Sequence, residues 1–144
     1  MATADMVARR SLCSRAQVGA VIVTVDNQII AASYNGPPAR FKHEGRDCTH
    51  WCPRAAGSDL NPEYEDCPAT HAEMNAIARA HGRLSDSTLY VTGSVCYSCA
   101  KVIPQSGIDK VVHRINPSEA HRRPEEVEKF LYLMGVNVER RVSR

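Results

Sequence analysis

The apolar positions fall into short, separate runs along the 144 residues. VGAVIVTV at 18–25 is almost continuously β-branched or small, and QIIAASY follows at 28–34. The Asp26-Asn27 pair between them predicts a β-hairpin. Asn35-Gly36-Pro37-Pro38 ends it, because proline cannot donate to a ladder. Further strands are predicted at 88–92, 110–115 and 136–142, and helices at 2–10, 70–80, 96–106 and 124–134. Thr70, with Glu73 three residues on, matches a capping box, and Gly82 a helix stop. Pro104 should distort the end of its helix, whereas Pro124 and Gly135 bracket the last one. Asn116-Pro117-Ser118 reads as a turn. Strands alternating with helices imply a three-layer α/β domain whose later strands are parallel.

The stretch 39–69 breaks this rhythm. Some thirty residues without regular structure are unusual in a compact domain unless something staples them. The stretch carries His43, Cys48, His50, Cys52 and Cys67, three of the chain's six cysteines. A length of 144 residues fits a single domain, 1–144, and 43% hydrophobic residues exclude a largely disordered chain. A formal net charge of +2 is low for a dedicated polyanion binder. No apolar run reaches the roughly 18 residues of a membrane span. The first ten residues carry Asp5, Arg9 and Arg10 and do not resemble a secretory signal, so the expected compartment is the cytoplasm. Disulfides are disfavoured there, and metal ligation is the leading use for six cysteines.

Two tight groups carry the chemistry. His71-Ala72-Glu73 opens one predicted helix and Cys96-Tyr97-Ser98-Cys99 the next, with a strand between. A C-x-x-C pair at a helix start lets both sulfurs converge on one metal, and the exposed N–H groups there favour thiolate. His71 makes a third ligand. Three protein ligands leave a zinc one position for water, as in catalytic sites. Zinc lowers the pKa of that water, and Glu73 is placed to take its proton and pass it to a heterocycle and a leaving amine. A structural zinc or a redox pair is the competing reading of the cysteines, and the capping box that of Glu73.

With these groups in place, the chain resembles the cytidine and deoxycytidylate deaminase family, and dCMP deaminases most of all. The resemblance rests on SLCSRAQVGAVIV (11–23), SYNGPP (33–38), HAEMNAI (71–77) and CYSCAKVIPQSGIDKVV (96–112). Asn75 and the YNG loop set it apart from tRNA adenosine deaminases. It implies an α/β/α fold with a five-stranded mixed sheet, a zinc-dependent hydrolase, and conversion of dCMP to dUMP with release of ammonia. By position, His71, Cys96 and Cys99 would bind the catalytic zinc and Glu73 would shuttle protons. The Ala72 N–H would meet the pyrimidine carbonyl and Asn35 the sugar, although Asn35 also reads as a turn residue. Arg15 and Lys101 are candidates for the phosphate, against a plain surface role that is stronger for Lys101. The resemblance also implies a homo-oligomer, often a hexamer.

The chain departs from the family pattern in four places. Val95 replaces the proline before the first cysteine of the pair, and Ser33 replaces a glycine. Arg40 replaces a second glycine, and its bulk and charge weigh against the dCTP and dTTP sensing associated with that loop. His113 stands where a tyrosine near the base is frequent. It opens the alternative of a 5-substituted dCMP or of dCTP as substrate, against the reading of a satisfied strand histidine.

Some dCMP deaminases hold a second, structural zinc, with ligands at positions matched here by Cys13 and Cys48. Cys52 and Cys67 could complete a four-thiolate site that staples 39–69, with His43 and His50 in reserve; free thiols or a disulfide remain open. A deaminase of polynucleotides is disfavoured by 6% aromatic content and the absence of an aromatic-rich basic face. A non-catalytic zinc-stabilised binding module could use His113, Arg114, His121, Arg122, Arg123, Arg140, Arg141 and Arg144, but it has no need of Glu73.

Overall fold

The computed structural model describes residues 1–42, 44, 47–57 and 67–141. In chain order the elements are α1 (Ala2–Ala8), β1 (Gly19–Val23), β2 (Ile29–Tyr34), α2 (Ala72–Arg79), β3 (Thr88–Val91), α3 (Tyr97–Ser106), β4 (Lys110–Arg114), α4 (Pro124–Leu133) and β5 (Asn137–Arg141). Short 3-10 segments occur at Cys48–His50 and Pro117–Arg122. The described strands form one five-stranded sheet in the order β2-β1-β3-β4-β5. β1 runs antiparallel to β2 and β3, while β3, β4 and β5 are parallel.

Side-chain alternation decides what each face of this mixed sheet covers. Ala20, Ile22, Leu89, Val91 and Val111 join Ala72, Ala76, Ile103, Val127 and Leu131 in one buried cluster, so α2, α3 and α4 share a face. α1 takes the other face and lies against β1 at Gly19. A Cβ there would stand 2.0 Å from the Ala4 carbonyl oxygen, so only glycine permits the approach. On that face Arg114 grips Asp5 with two hydrogen bonds and ties β4 to α1.

Three local expectations change. Thr70 pairs with Gly36 in an isolated bridge, so the N-cap of α2 is His71 and its side chain makes no cap bond. The capping box expected of Thr70 and Glu73 therefore does not form. Pro104 is carried inside α3 because it falls in the last turn, where Gly107 closes the helix at φ 89°. The expected turn at 116–118 is the start of a 3-10 segment. Asn116 caps it by accepting from the Ser118 N–H, and Arg123 at φ 52° redirects the chain into α4.

In the described part of 39–69, Asp47 caps the first 3-10 turn and Phe41 packs edge-on against Trp51. Cys48 and Cys52 are buried. His43, residues 58–66 and Val142 lie outside the described residues.

Candidate active site

The parallel strand β3 and helix α2 bring the two motifs together. β3 ends at Val91, and the 92–96 turn leads into α3 with Cys96 as its N-cap. His71, the N-cap of α2, turns its imidazole to the same point. His71 Nδ1 is 3.3 Å from Cys96 Sγ and 3.4 Å from Cys99 Sγ. Tetrahedral zinc with ordinary N and S bond lengths has N–S edges of about 3.6 Å. The three ligand atoms lie within 4.8 Å of one another. The donor set and its spacing fit a zinc ion with little movement.

The electrostatics agree. Hydrogen bonding from Cys99 and from His71 at the helix start lowers the Cys96 thiol to about 3. The same contact, together with burial, pushes the Cys99 thiol up. Hydrogen bonding to Cys96 raises His71.

Glu73 is 2% exposed, and its Oε1 has no hydrogen-bond partner in the protein. Burial raises its carboxyl above the ordinary carboxylate range. A buried oxygen without a partner is costly, and it is retained where a ligand or reacting group supplies the partner. Glu73, Ala72 and His71 line a cavity of about 470 Å³, within the range of small-molecule sites.

Asn35 lines the same cavity. Its Oδ1 accepts from the Val18 N–H at 2.8 Å and its Nδ2 donates to the Ala16 carbonyl at 2.9 Å. One amide hydrogen and one lone pair remain for a sugar hydroxyl. Asn35 thus fixes the 16–18 segment, beside which Arg15 stands exposed at the cavity. Asn75 holds the other side of this loop, donating to the carbonyls of Tyr34 at 3.0 Å and Thr70 at 3.3 Å.

Two expected contacts do not reach the cavity. Lys101 is exposed and lies 5.6 Å above the Tyr97 ring. His113 is fully buried between β4 and α4, with Nε2 2.9 Å from Glu128 Oε1 and Nδ1 accepting from the Val95 N–H at 3.4 Å. Facing the helix rather than the cavity, it cannot contact a base there, and the ground for a 5-substituted substrate is removed.

Arg54, Glu119, His121 and Arg122 also line the cavity. In the sequence Arg122 and His121 belong to the basic run that a binding module could use, and nothing there places them at the cavity, because a 3-10 segment gives no periodic signal. Among its other described arginines, Arg114 pairs with Asp5, Arg123 with Glu126, Arg140 with Glu128 and Arg141 with Glu139; Arg144 lies outside the described residues. Such pairing leaves little of a continuous basic surface for a binding module.

Cys13, Cys48, Cys52 and Cys67 stand along one part of the cavity wall. Cys52 and Cys67 touch at 3.5 Å, and Cys48 Sγ accepts from the Ser14 N–H at 3.0 Å. Burial raises the Cys67 thiol to about 11. Among the described residues only His71, Cys96 and Cys99 close to within 4.8 Å, so the four thiols share a wall without meeting at one point. His50 is exposed and bonded to Asp47.

Known proteins share this arrangement. The family described as the cytidine and deoxycytidylate deaminase zinc-binding region matches residues 1–115. The deoxycytidylate deaminase of Mycobacterium phage D29 is 38% identical over 117 residues, covering 76% of this chain and 87% of that protein. A probable deoxycytidylate deaminase of Drosophila melanogaster is 34% identical, covering 100% of this chain and 71% of that protein. A crystal structure of the dCMP deaminase from the cyanophage S-TIM5 in complex with dCMP and dUMP superposes with a TM-score of 0.69 at 29% identity. It covers 97% of this chain and 92% of that one. With its fold, its three metal-ligating side chains and its buried glutamate, this chain belongs to the zinc-dependent cytidine and deoxycytidylate deaminase family.

Proposed function

We propose that the protein hydrolyses dCMP to dUMP and ammonia, with His71, Cys96 and Cys99 holding the zinc and Glu73 moving the protons. The observation that carries this reading is the unpartnered, buried Glu73 Oε1 at the cavity beside the three ligands. The relatives named deoxycytidylate deaminase and the S-TIM5 enzyme bound to dCMP and dUMP support the substrate.

Zinc bound there polarises water and brings its pKa toward neutrality. The residues of the chain do the rest. Glu73, raised by burial, accepts a proton from the water and delivers it to the ring nitrogen as the water oxygen bonds to the amine-bearing carbon. It then carries the proton of that new hydroxyl to the amine, the C–N bond breaks, and ammonia leaves a ring carbonyl behind. The Ala72 N–H, at the unsatisfied start of α2, donates to the pyrimidine carbonyl. Asn35 meets the sugar. Arg15 binds the phosphate, and Arg54, on the same cavity, adds positive charge.

Glu73→Ala tests this. Ammonia release from dCMP should fall by roughly 10²–10⁴-fold, the usual worth of a general acid–base group. Zinc content should stay at the wild-type level. Unchanged turnover would sink the mechanism.

Cys13, Cys48, Cys52 and Cys67 are further proposed to close around a second, structural zinc when metal is present. Their shared wall and the Cys52–Cys67 contact support this. The enzyme is also read as a cytoplasmic homo-oligomer. Tyr132, Leu133 and Met134, exposed by 76%, 66% and 51% at the end of α4, support association, which light scattering measures. Arg40, exposed after the YNG loop, lends no support to dCTP or dTTP sensing.

A further inference from the structure

The turn that delivers Cys96 is held from outside itself. The Ser94 N–H donates to Glu119 Oε2 at 2.9 Å, and the Ser94 carbonyl accepts from Arg122 at 2.8 Å. The next donor along, the Val95 N–H, goes to His113 Nδ1 at 3.4 Å. Ser94, Val95 and His113 are all 0% exposed, so solvent cannot replace any of these partners. An amide N–H can only donate. His113 Nδ1 must therefore be the unprotonated nitrogen, and Nε2 carries the hydrogen. That hydrogen meets Glu128 Oε1 at 2.9 Å, and Arg140 grips both oxygens of Glu128 at 2.7 to 2.9 Å. An ordered chain of hydrogen bonds thus runs from Arg140 on β5, through Glu128 on α4 and His113 on β4, to the amide one residue before a zinc ligand.

We infer that His113 is a positioning residue for the metal centre. Its Nδ1 fixes the 94–95 peptide, whose carbonyl Arg122 holds from the other side, and so presents Cys96 Sγ to the point shared with His71 and Cys99. Glu128 and Arg140 serve by holding the imidazole in the tautomer that can accept. The inference rests on the proposed zinc role of His71, Cys96 and Cys99. It gives a use to a buried histidine that the chemical mechanism does not touch. Supporting partners of this kind behind metal ligands are worth roughly 10–100-fold in metal affinity.

Two near-isosteric replacements separate this role from simple packing. His113→Asn keeps an acceptor where Nδ1 stands and gives up the bond to Glu128. His113→Gln keeps a donor where Nε2 stands and offers nothing to the Val95 N–H. Zinc affinity of the full chain is measured by competition with a chromophoric chelator. The expected result is a loss of roughly 10–100-fold for His113→Gln and a much smaller loss for His113→Asn. Equal losses in the two variants, or no loss in either, would overturn the inference. Val95→Pro removes the amide hydrogen itself, so adding it should abolish the penalty of His113→Gln, including any failure of that variant to fold. A penalty that persists in the double variant also overturns the inference. The wild-type titration reads the zinc site directly. A wild-type chain without zinc affinity overturns both readings, whereas failure of the positioning role shows only in the differences between variants.

Discussion

Single atoms at Glu73 and Asn75 define what the site can do. The N-cap of α2 is His71, one residue past the Thr70 that the sequence suggests, and Glu73 Oε1 is without a hydrogen-bond partner. Thr70 is taken by the bridge to Gly36, and the carboxylate is left at the cavity instead of folding back on a cap. Asn75 spends its amide on the Tyr34 and Gly36 carbonyls of the YNG loop and on that of Thr70, which is bridged to Gly36, so it braces the loop that carries Asn35. Asn75→Ala should leave those carbonyls unsatisfied, cost about 1–3 kcal/mol in urea unfolding, and raise KM for dCMP more than it lowers kcat. Arg15→Ala should raise KM for dCMP by roughly tenfold and leave turnover of deoxycytidine unchanged, consistent with one charge-assisted phosphate contact. At this scale the sequence was most legible where chemistry restricts residue type: His71, Glu73, Cys96 and Cys99 converge as their spacing predicts. It was least legible at Val95 and His113. Read as two separate departures from the family pattern, they meet in space through one hydrogen bond.

Elements matter through how they are anchored. The hairpin, the later parallel strands and the four helices follow the apolar pattern closely, because burial on one or two faces imposes that pattern. The Pro117–Arg122 segment does not, because a short 3-10 stretch has no apolar period, so nothing in the pattern places Glu119 and Arg122 at the cavity. Helix α1 illustrates the dependence on contact. It has seven residues, too few to persist alone, and it is retained by Gly19 beneath it and by the Asp5–Arg114 pair. Gly19→Ala should force α1 off β1 and lower stability by about 1–3 kcal/mol, read from thermal melting. The hydrogen bond from Arg114 holds the Asp5 carboxyl below its usual 3.8. A lowered folded pKa stabilises above the unfolded value and is lost as pH falls through the folded one. Asp5→Asn should therefore destabilise at pH 7 and make little difference near pH 2, measured by urea unfolding at both.

For the molecule as a whole, the six cysteines divide into two groups. Cys96 and Cys99 join His71, which itself lines the cavity, and Cys13, Cys48, Cys52 and Cys67 stand along the cavity wall. Metal analysis should return two zinc ions per chain, and Cys52→Ser should reduce the count to one while dCMP turnover persists in part. A count of one in the wild type would remove the structural site. Charge is divided in a similar way: among the described residues Arg114, Arg123, Arg140 and Arg141 are paired with Asp5, Glu126, Glu128 and Glu139, while Arg15, Arg54 and Arg122 gather at the cavity. That distribution suits a mononucleotide better than a polymer. The most direct test of the account is ammonia release by the zinc-loaded protein from dCMP and from deoxycytidine, compared as kcat/KM. The account predicts turnover of dCMP with clear preference over the nucleoside, and loss of both activities on zinc removal. No release from dCMP, or equal use of the two substrates, would contradict it.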